Sequence, residues 1–227
     1  MAVNQLVDNG KIFTVGCKNP NLRTFDISFT TDKGSTYNSY LLLGEVNVLI
    51  DGVKADFTDE HLDNIRQVIP TEQIDYVVVN HTEPDHSGSL AAILNAAPKA
   101  KVIASRCASV FLKPILHRPF ELEEVKGEYT LDLGWDRLKV ILTPFLHWPD
   151  TAMSYLEDSQ ILFSCDAFGA HYCPDDILNT PFSQVKSYAK YYADCIIRPF
   201  KIKVRLALSK LETIPIKIIA PSHGPIL

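Results

Sequence analysis

Hydrophobic and β-branched residues form short runs in the first half of the chain, separated by glycine, asparagine and proline. Four such runs, at residues 11–15, 23–29, 36–43 and 46–51, precede any helical pattern, and each is typical of a β-strand. A helix is then predicted to begin at Thr58, whose side chain can cap the first turn, and to end before a proline. The chain therefore begins with strands and only then alternates strand with helix.

The run at residues 74–80 reads IDYVVVN and is mostly apolar and β-branched. Such a run is typical of a strand that is buried on both faces of a sheet. It ends directly at His81. The pattern then predicts a helix at 87–97, a strand at 101–105 and a short helix at 107–116 that its own proline interrupts.

Two hairpins and two helices are predicted in the second half of the chain. One hairpin joins residues 129–133 to 137–143 and the other joins 152–156 to 160–164. Apolar and aromatic residues then recur every three or four positions from residue 181, which indicates an amphipathic helix that breaks near a proline.

The last part of the chain is less regular. Residues 202–211 fit both an alternating strand and a helix, and their alanine, leucine, lysine and glutamate content favours the helix. A final strand at 216–220 leads to His223. Because the sequence shows neither a linker nor an internal repeat, we expect residues 1–227 to form one α/β domain with two packed sheets.

Composition excludes several classes of protein. The chain is 46% hydrophobic and 22% charged, and its net charge of -5 does not favour a nucleic-acid groove. The longest apolar run, at residues 90–94, is far shorter than the ~20 residues of a membrane span, and the first residues lack a secretory pattern. Five scattered cysteines do not suggest a disulfide framework. We therefore expect a cytoplasmic protein that binds neither nucleic acid nor membrane.

Seven potential metal ligands lie where predicted strands end. Four of them fall within the run HTEPDH that follows the buried strand, and the other three follow or end later strands. They are His81, Glu83, Asp85, His86, His147, Asp166 and His223. Any one of them could be a core histidine or a helix cap. As a set, imidazoles and carboxylates placed so closely beside a buried strand indicate a metal site.

The number and type of these ligands favour two metal ions. Seven donors are too many for one tetrahedral ion, and they suit two metals that share a carboxylate and keep open positions for substrate. Four imidazoles and three carboxylates without a thiolate favour iron or manganese over metals that prefer soft ligands. Three carboxylates and a bridging hydroxide would neutralise two divalent ions, which makes a buried cluster tolerable.

The run H-x-E-x-D-H resembles the metallo-β-lactamase signature H-x-H-x-D-H with Glu83 in place of the second histidine, and it is similar to the signature of flavodiiron proteins. Other motifs agree in order, among them TYNSY at 36–40, HWPD at 147–150, DAFG at 166–169 and PSHGP at 221–225. The likeness covers essentially all 227 residues. The chain thus resembles the diiron domain of flavodiiron proteins, or A-type flavoproteins, a family of rubredoxin:oxygen oxidoreductases and nitric oxide reductases.

The resemblance implies a metallo-β-lactamase-like αββα sandwich, with two mixed β-sheets flanked by helices, and a non-haem diiron centre. The implied ligands of the iron nearer the electron donor are His81, Glu83 and His147. Those of the other iron are Asp85, His86 and His223, and Asp166 bridges the two irons. The implied reaction reduces dioxygen to water, nitric oxide to nitrous oxide, or both. Because zinc cannot change its oxidation state, the replacement by glutamate is consistent with redox chemistry in place of hydrolysis.

Other residues near the motifs have weaker signals. The resemblance implies that His171 orients a ligand or donates a hydrogen bond to bound substrate, and the alternative is a partly buried loop histidine. Tyr192 could line the pocket, although its helical spacing favours packing in the core. Some family members carry a histidine near the pocket at the position of Asp26. We predict His61 on a helix surface and His117 in a loop, and assign neither a role.

Flavodiiron proteins continue past the counterpart of His223 into a flavodoxin-like domain that binds FMN, whereas this chain stops at Leu227. We therefore expect that domain to be absent and the chain to bind two iron ions but no FMN of its own. Electrons would come through FMN from a rubredoxin-like or flavoprotein donor. The family forms a head-to-tail dimer, which leads us to expect a homo-oligomer, although that flavin arrangement cannot form from this chain alone.

Three functions remain open on the sequence. The favoured one is the diiron domain of an oxygen or nitric oxide reductase. The second is a binuclear metallohydrolase in which metal-bound hydroxide attacks an ester or amide, and Glu83 argues against it. The third is a non-catalytic iron-binding or oxygen-sensing module.

Overall fold

The fold is a sandwich of two mixed β-sheets with helices on its outer faces, in a computed structural model that describes residues 3–26 and 28–227. The strands of this region are β1 (Asn4–Gln5), β2 (Ile12–Thr14), β3 (Cys17–Asn19), β4 (Thr24–Phe25), β5 (Phe29–Thr30), β6 (Ser35–Tyr37), β7 (Tyr40–Leu42), β8 (Val48–Ile50), β9 (Tyr76–Val79), β10 (Lys101–Ser105), β11 (Leu122–Val125), β12 (Tyr129–Asp132), β13 (Arg137–Leu142), β14 (Ala152–Leu156), β15 (Ile161–Cys165) and β16 (Ile218–Pro221). The α-helices are α1 (Thr58–Arg66), α2 (Pro84–Ser87), α3 (Leu90–Ala96), α4 (Arg106–Leu116), α5 (Phe182–Tyr192) and α6 (Lys201–Leu211). The predicted αββα sandwich is confirmed.

The two large sheets mix parallel and antiparallel pairs. The first has the order β1-β2-β7-β8-β9-β10-β11 and is parallel from β8 to β11. The second has the order β12-β13-β14-β15-β16, and only its last pair is parallel. Two small antiparallel pairs, β3 with β6 and β4 with β5, complete the strands of the described region.

Apolar side chains pack between the two sheets and on the outer face of each sheet. The core between the two sheets includes Leu42, Val48, Val78, Ile103, Leu138, Val140, Leu156 and Phe163. On the outer face of the first sheet, Val77 and Val79 pack with residues of α1, α3 and α4. The side chains of β9 therefore alternate between two apolar layers, which confirms that this strand is buried on both faces.

Several predicted elements differ in the structure for local reasons. The strand at 36–43 is divided into β6 and β7 because Asn38 turns away and donates its amide hydrogens to the carbonyls of Pro221 and Gly224, at 2.8 and 2.9 Å. The strand at 23–29 is instead the hairpin of β4 and β5, with Asp26 at φ 47°, and residue 27 lies outside the described residues.

The helices also differ from prediction at their ends. Thr58 does not cap α1, because its hydroxyl donates to the carbonyl of Ala55 at 2.8 Å in the preceding turn. Helix α4 continues past Pro114 to Leu116. The single helix predicted at 87–97 is instead divided into α2, which begins at Pro84, and α3. Strand β11 was not predicted, because LEEV lacks a clear apolar alternation.

Helices α5 and α6 join through a π-helical turn (Ala193–Ile197) and a short 3-10 turn (Arg198–Phe200). The predicted break near the proline is therefore a change of helical pitch, and the preference for a helix over a strand at 202–211 is confirmed. In the part of the chain that the structure describes, every helix is too short or too polar to cross a bilayer.

Candidate metal centre

The seven predicted ligands meet at one edge of the sandwich. His81 follows β9, and Glu83 directly precedes α2, whose first turn carries Asp85 and His86. The other three come from the second half of the chain and follow β13, β15 and β16: His147, Asp166 and His223. All are buried except His147, whose side chain is 14% exposed. Residues more than 140 positions apart in the sequence thus converge because β9 of the first sheet and three strands of the second sheet lead to the same edge.

Asp166 lies at the middle of the group and divides it into two halves. Its Oδ2 is 3.2 Å from Nε2 of His147 and 3.7 Å from Nε2 of His81. Its Oδ1 is 3.2 Å from Nε2 of His86 and 3.3 Å from Nε2 of His223. One carboxylate therefore faces two pairs of imidazoles with its two oxygens.

Each half has a second carboxylate of its own. Oε2 of Glu83 is 3.1 Å from Nε2 of His81 and 3.2 Å from Nε2 of His147. Oδ2 of Asp85 is 3.2 Å from Nε2 of His223. The two compact donor groups that result are His81, Glu83, His147 and Asp166, and Asp85, His86 and His223.

Several of these atoms are buried without a hydrogen bond. Neither carboxylate oxygen of Asp85 or Asp166 makes one with the described residues, nor does Nε2 of His86. A buried polar atom without a partner costs about 1–3 kcal/mol, and more for a charged group. Two ligands at about 2.1 Å from one ion lie about 3 Å apart when they meet at a right angle, which is close to the separations here. The donor set therefore fits two cations.

Carboxylates dominate the electrostatics of the centre. Burial alone would lower the pKa of His81, but its hydrogen bonds to Asp150 and Glu83 raise that pKa to about 10. Burial would also lower the pKa of His147, but contacts with Asp166 and Glu83 raise that pKa to about 9. The same excess of negative charge would stabilise bound metal cations.

Backbone hydrogen bonds hold two of the predicted ligands in place, His223 and His86. Nδ1 of His223 donates to the carbonyl of Thr36 at 2.6 Å, which directs Nε2 toward Asp166. Gly52 donates its N–H to the carbonyl of His86 at 2.8 Å, and a Cβ on Gly52 would lie 2.9 Å from that same oxygen. A glycine is needed there because only it lets the chain after β8 approach the backbone of His86 so closely.

His171 lies beside the ligands but is not one of the two donor groups. Its Nδ1 is 2.9 Å from the hydroxyl of Ser35, and its ring centroid is 5.2 Å from that of His223. Nε2 is buried and makes no hydrogen bond among the described residues. Burial, followed by the nearby His223, lowers the pKa of His171 to about 3. The structure thus places a neutral imidazole next to the centre.

Three residues have surroundings that the sequence pattern did not reveal. Tyr192 is buried as expected, but its ring also packs on His171 and His223, at 4.9 and 6.0 Å between centroids. Partial burial and the charge of Glu83 raise the pKa of Asp26 to about 6, so this carboxyl lies near the centre. The predicted surface position of His61 was wrong, because His61 lies on α1 with its side chain completely buried against Ser39 and Ser89.

The comparisons with known proteins agree with this geometry. Residues 36–224 match the family model described as ODP family beta lactamase. The chain belongs to this family. Its resemblance to flavodiiron proteins is also confirmed, because it is 45% identical over its whole length to the flavo-diiron protein FprA2 of Clostridium acetobutylicum and 40% identical over 94% of its length to the type A flavoprotein fprA of Rhodobacter capsulatus.

Solved flavodiiron structures share the fold. The flavodiiron protein of Giardia intestinalis has a TM-score of 0.94 at 33% identity, covering 100% of this chain and 55% of its own. The rubredoxin oxygen:oxidoreductase of Desulfovibrio gigas also has a TM-score of 0.94, at 30% identity, covering 99% of this chain and 57% of its own. The chain spans 58% of FprA2 and 50% of the Rhodobacter relative. These relatives favour the oxidoreductase interpretation over the hydrolase.

Proposed function

We propose that this ODP-family chain is the diiron domain of a flavodiiron oxidoreductase that reduces dioxygen to water, nitric oxide to nitrous oxide, or both. Residues 1–227 constitute its metallo-β-lactamase-like domain, and FMN delivers the electrons from outside this segment. The names of its relatives and their shared fold support the family function. The arrangement around Asp166, with one oxygen toward each donor group, is the observation that carries the proposal.

Two iron ions would each take one half of the centre. His81, Glu83 and His147 would hold the first, Asp85, His86 and His223 the second, and Asp166 would bridge them. When bound, two Fe(II) ions would supply two electrons for the reduction of the gas. Two molecules of nitric oxide, two electrons and two protons then give nitrous oxide and water, whereas dioxygen needs four electrons and four protons, two of the electrons coming from a reduced flavin.

The chain's own residues would position the gas and the protons. His171 is neutral and its Nε2 is free of hydrogen bonds within the described structure, so this atom can donate to, or accept from, a substrate held beside His223. The rings of Tyr192 and Phe25 pack around His171 and keep water from that side. We assign His171 this outer role, in which it acts on substrate without holding metal.

The partners follow from the relatives. The name of the Desulfovibrio gigas relative supports a rubredoxin-like donor, with a flavoprotein between donor and metals. We also propose a homo-oligomer and a cytoplasmic location. The five cysteines, all free in the structure, support a reducing compartment.

The test is metal content followed by gas consumption. Anaerobically purified chain loaded with Fe(II) should retain about two irons. After chemical reduction it should consume nitric oxide or dioxygen in step with the electrons supplied. A single zinc that iron cannot displace would contradict the proposal, as would turnover of nitrophenyl esters or β-lactams without a reductant.

A further inference from the structure

Asp150 is a completely buried carboxylate that binds the back of one metal-centre histidine. Its Oδ2 accepts a hydrogen bond from Nδ1 of His81 at 3.0 Å. The same oxygen accepts from the backbone N–H and the hydroxyl of Thr82, both at 2.8 Å. The hydroxyl of Ser105 donates to the carbonyl of Asp150 at 2.7 Å and holds its backbone in place. The carboxylate is thus fixed from several directions, and its position determines that of the His81 ring.

We propose that Asp150 is a positioning residue that keeps the proton of His81 on Nδ1 and directs the lone pair of Nε2 to the first metal position. The inference rests on the proposed diiron centre and adds a residue outside the seven ligands. A neutral imidazole binds metal only through the nitrogen without a proton. By accepting from Nδ1, Asp150 selects the tautomer that can bind, and its negative charge makes Nε2 a stronger donor.

The two halves of the centre differ in the group that accepts a hydrogen bond from Nδ1 of a histidine. Nδ1 of His223, in the second half, donates to a neutral backbone carbonyl, that of Thr36. Nδ1 of His81 donates to a charged carboxylate, and hydrogen bonds to charged groups are about twice as strong as neutral ones. Loss of the charge on Asp150 should therefore weaken the first metal position selectively.

A second buried carboxylate shows what a purely structural role looks like. Asp136 is 2% exposed and accepts from the backbone N–H groups of Arg137, Asp158 and Ser159, at 2.7 to 2.8 Å. It holds the hairpin ends of the second sheet together and contacts no residue of the donor groups in these hydrogen bonds. Asp136→Asn is therefore a matched control for the loss of a buried, hydrogen-bonded negative charge.

The substitution Asp150→Asn keeps the shape of the side chain, but an amide cannot replace the carboxylate at this site. If the amide nitrogen takes the place of Oδ2, it meets three donors and favours the wrong His81 tautomer. If it takes the place of Oδ1, it lies in a buried spot where the structure shows no hydrogen-bond partner for that atom. Either orientation removes the charge behind His81.

The experiment is an anaerobic titration of the metal-free full chain with Co(II), followed by its visible absorption, together with Mössbauer spectra of the 57Fe(II)-loaded chain. The unmodified chain should bind two ions. In Asp150→Asn one of the two should bind about 10 to 100-fold more weakly, with only one iron doublet changed. Asp136→Asn should bind both ions as the unmodified chain does. Equal affinity at both positions in Asp150→Asn, equal weakening of both, or the same loss in Asp136→Asn would overturn the inference.

A second measurement needs no variant. In the 15N-labelled, zinc-loaded chain, which is diamagnetic, the proton of His81 should be found on Nδ1 by NMR. A proton on Nε2 of His81 would overturn the inference even if Asp150→Asn did not fold. If the unmodified chain took up fewer than two divalent ions, the proposed function itself would fail. Two bound ions with no effect of Asp150→Asn would refute only the role of Asp150.

Discussion

His61 and His81 are both completely buried, yet the neighbours of His61 are uncharged and those of His81 are carboxylates. Nδ1 and Nε2 of His61 lie 3.1 and 3.0 Å from the hydroxyls of Ser89 and Ser39, which carry no charge. Burial therefore lowers the pKa of His61 to about 3. At His81 the carboxylates of Asp150 and Glu83 outweigh burial, and the pKa rises to about 10.

The difference shows that burial alone does not distinguish the histidines of the two donor groups from other histidines, whereas the charge of their neighbours does. His171 makes the same point inside the metal centre. It lies beside His223, but burial and the positive charge that His223 can carry lower its pKa to about 3. Its pKa thus resembles that of His61, which is consistent with its place outside the two donor groups.

The largest effect is expected from removing the carboxylate at the middle of the centre, because its charge distinguishes the surroundings of His81 from those of His61. Asp166→Ala removes the carboxylate that faces four imidazoles. The histidines of the centre then have less negative charge around them, and their surroundings become more like the uncharged ones of His61. Because Asp166 serves both halves, iron content should fall from about two per chain to well below one. Anaerobic metal analysis checks this, with His61→Gln as a control that should keep both irons. Full occupancy in Asp166→Ala would refute the bridging role.

Truncation of His61 should affect stability and leave the metals in place. His61→Ala creates a cavity and leaves the hydroxyls of Ser39 and Ser89 without their ring partner. We expect a loss of about 3 kcal/mol in the free energy of unfolding. Urea denaturation of the metal-free chain measures it, and a loss below about 1 kcal/mol would show that the loops hold together without the imidazole.

The pH dependence of stability sharpens the contrast further. The pKa of His61 falls from its ordinary value of 6.5 to about 3 in the folded chain, so between these values the unfolded chain binds the extra proton. As pH falls from about 6 to about 4, this group should cost about 1.4 kcal/mol of stability per pH unit, and well above its ordinary pKa it should cost nothing. Denaturation at several pH values should show a smaller slope in His61→Gln than in the unmodified chain. Identical slopes would mean that His61 is protonated in the folded state.

The sequence predicted which residues meet at the centre better than it predicted their surroundings. Glu83 and His86 could be predicted because they belong to a closely spaced group of imidazoles and carboxylates that comes directly after a buried strand. The burial of His61 was missed because α1 also has polar residues, and periodicity cannot show that Ser39 and Ser89 would enclose its ring. The role proposed for Asp150 depends on a contact between residues 69 positions apart, which no local pattern contains.

The fold shows the same division between local and distant causes. The hairpin of β14 and β15 was predicted closely, because alternation and turn residues are local signals. The division at Asn38 was missed because its cause lies in the carbonyls of Pro221 and Gly224, at the other end of the chain. At this position the prediction failed because a side chain bonds to distant backbone, which no local pattern contains.

The smallest effect is expected at His117, an exposed histidine that follows α4. Its φ of 49° is in the left-handed region, where a residue with a Cβ is strained and glycine is not. His117→Gly should therefore stabilise the chain by about 0.5 kcal/mol, because relief of this strain slightly exceeds the greater flexibility of glycine in the unfolded state. Urea denaturation measures the change, and iron content should remain that of the unmodified chain. A destabilisation of about 1 kcal/mol or more would show that the His117 side chain contributes packing to stability, as the buried histidines do, in spite of its exposure.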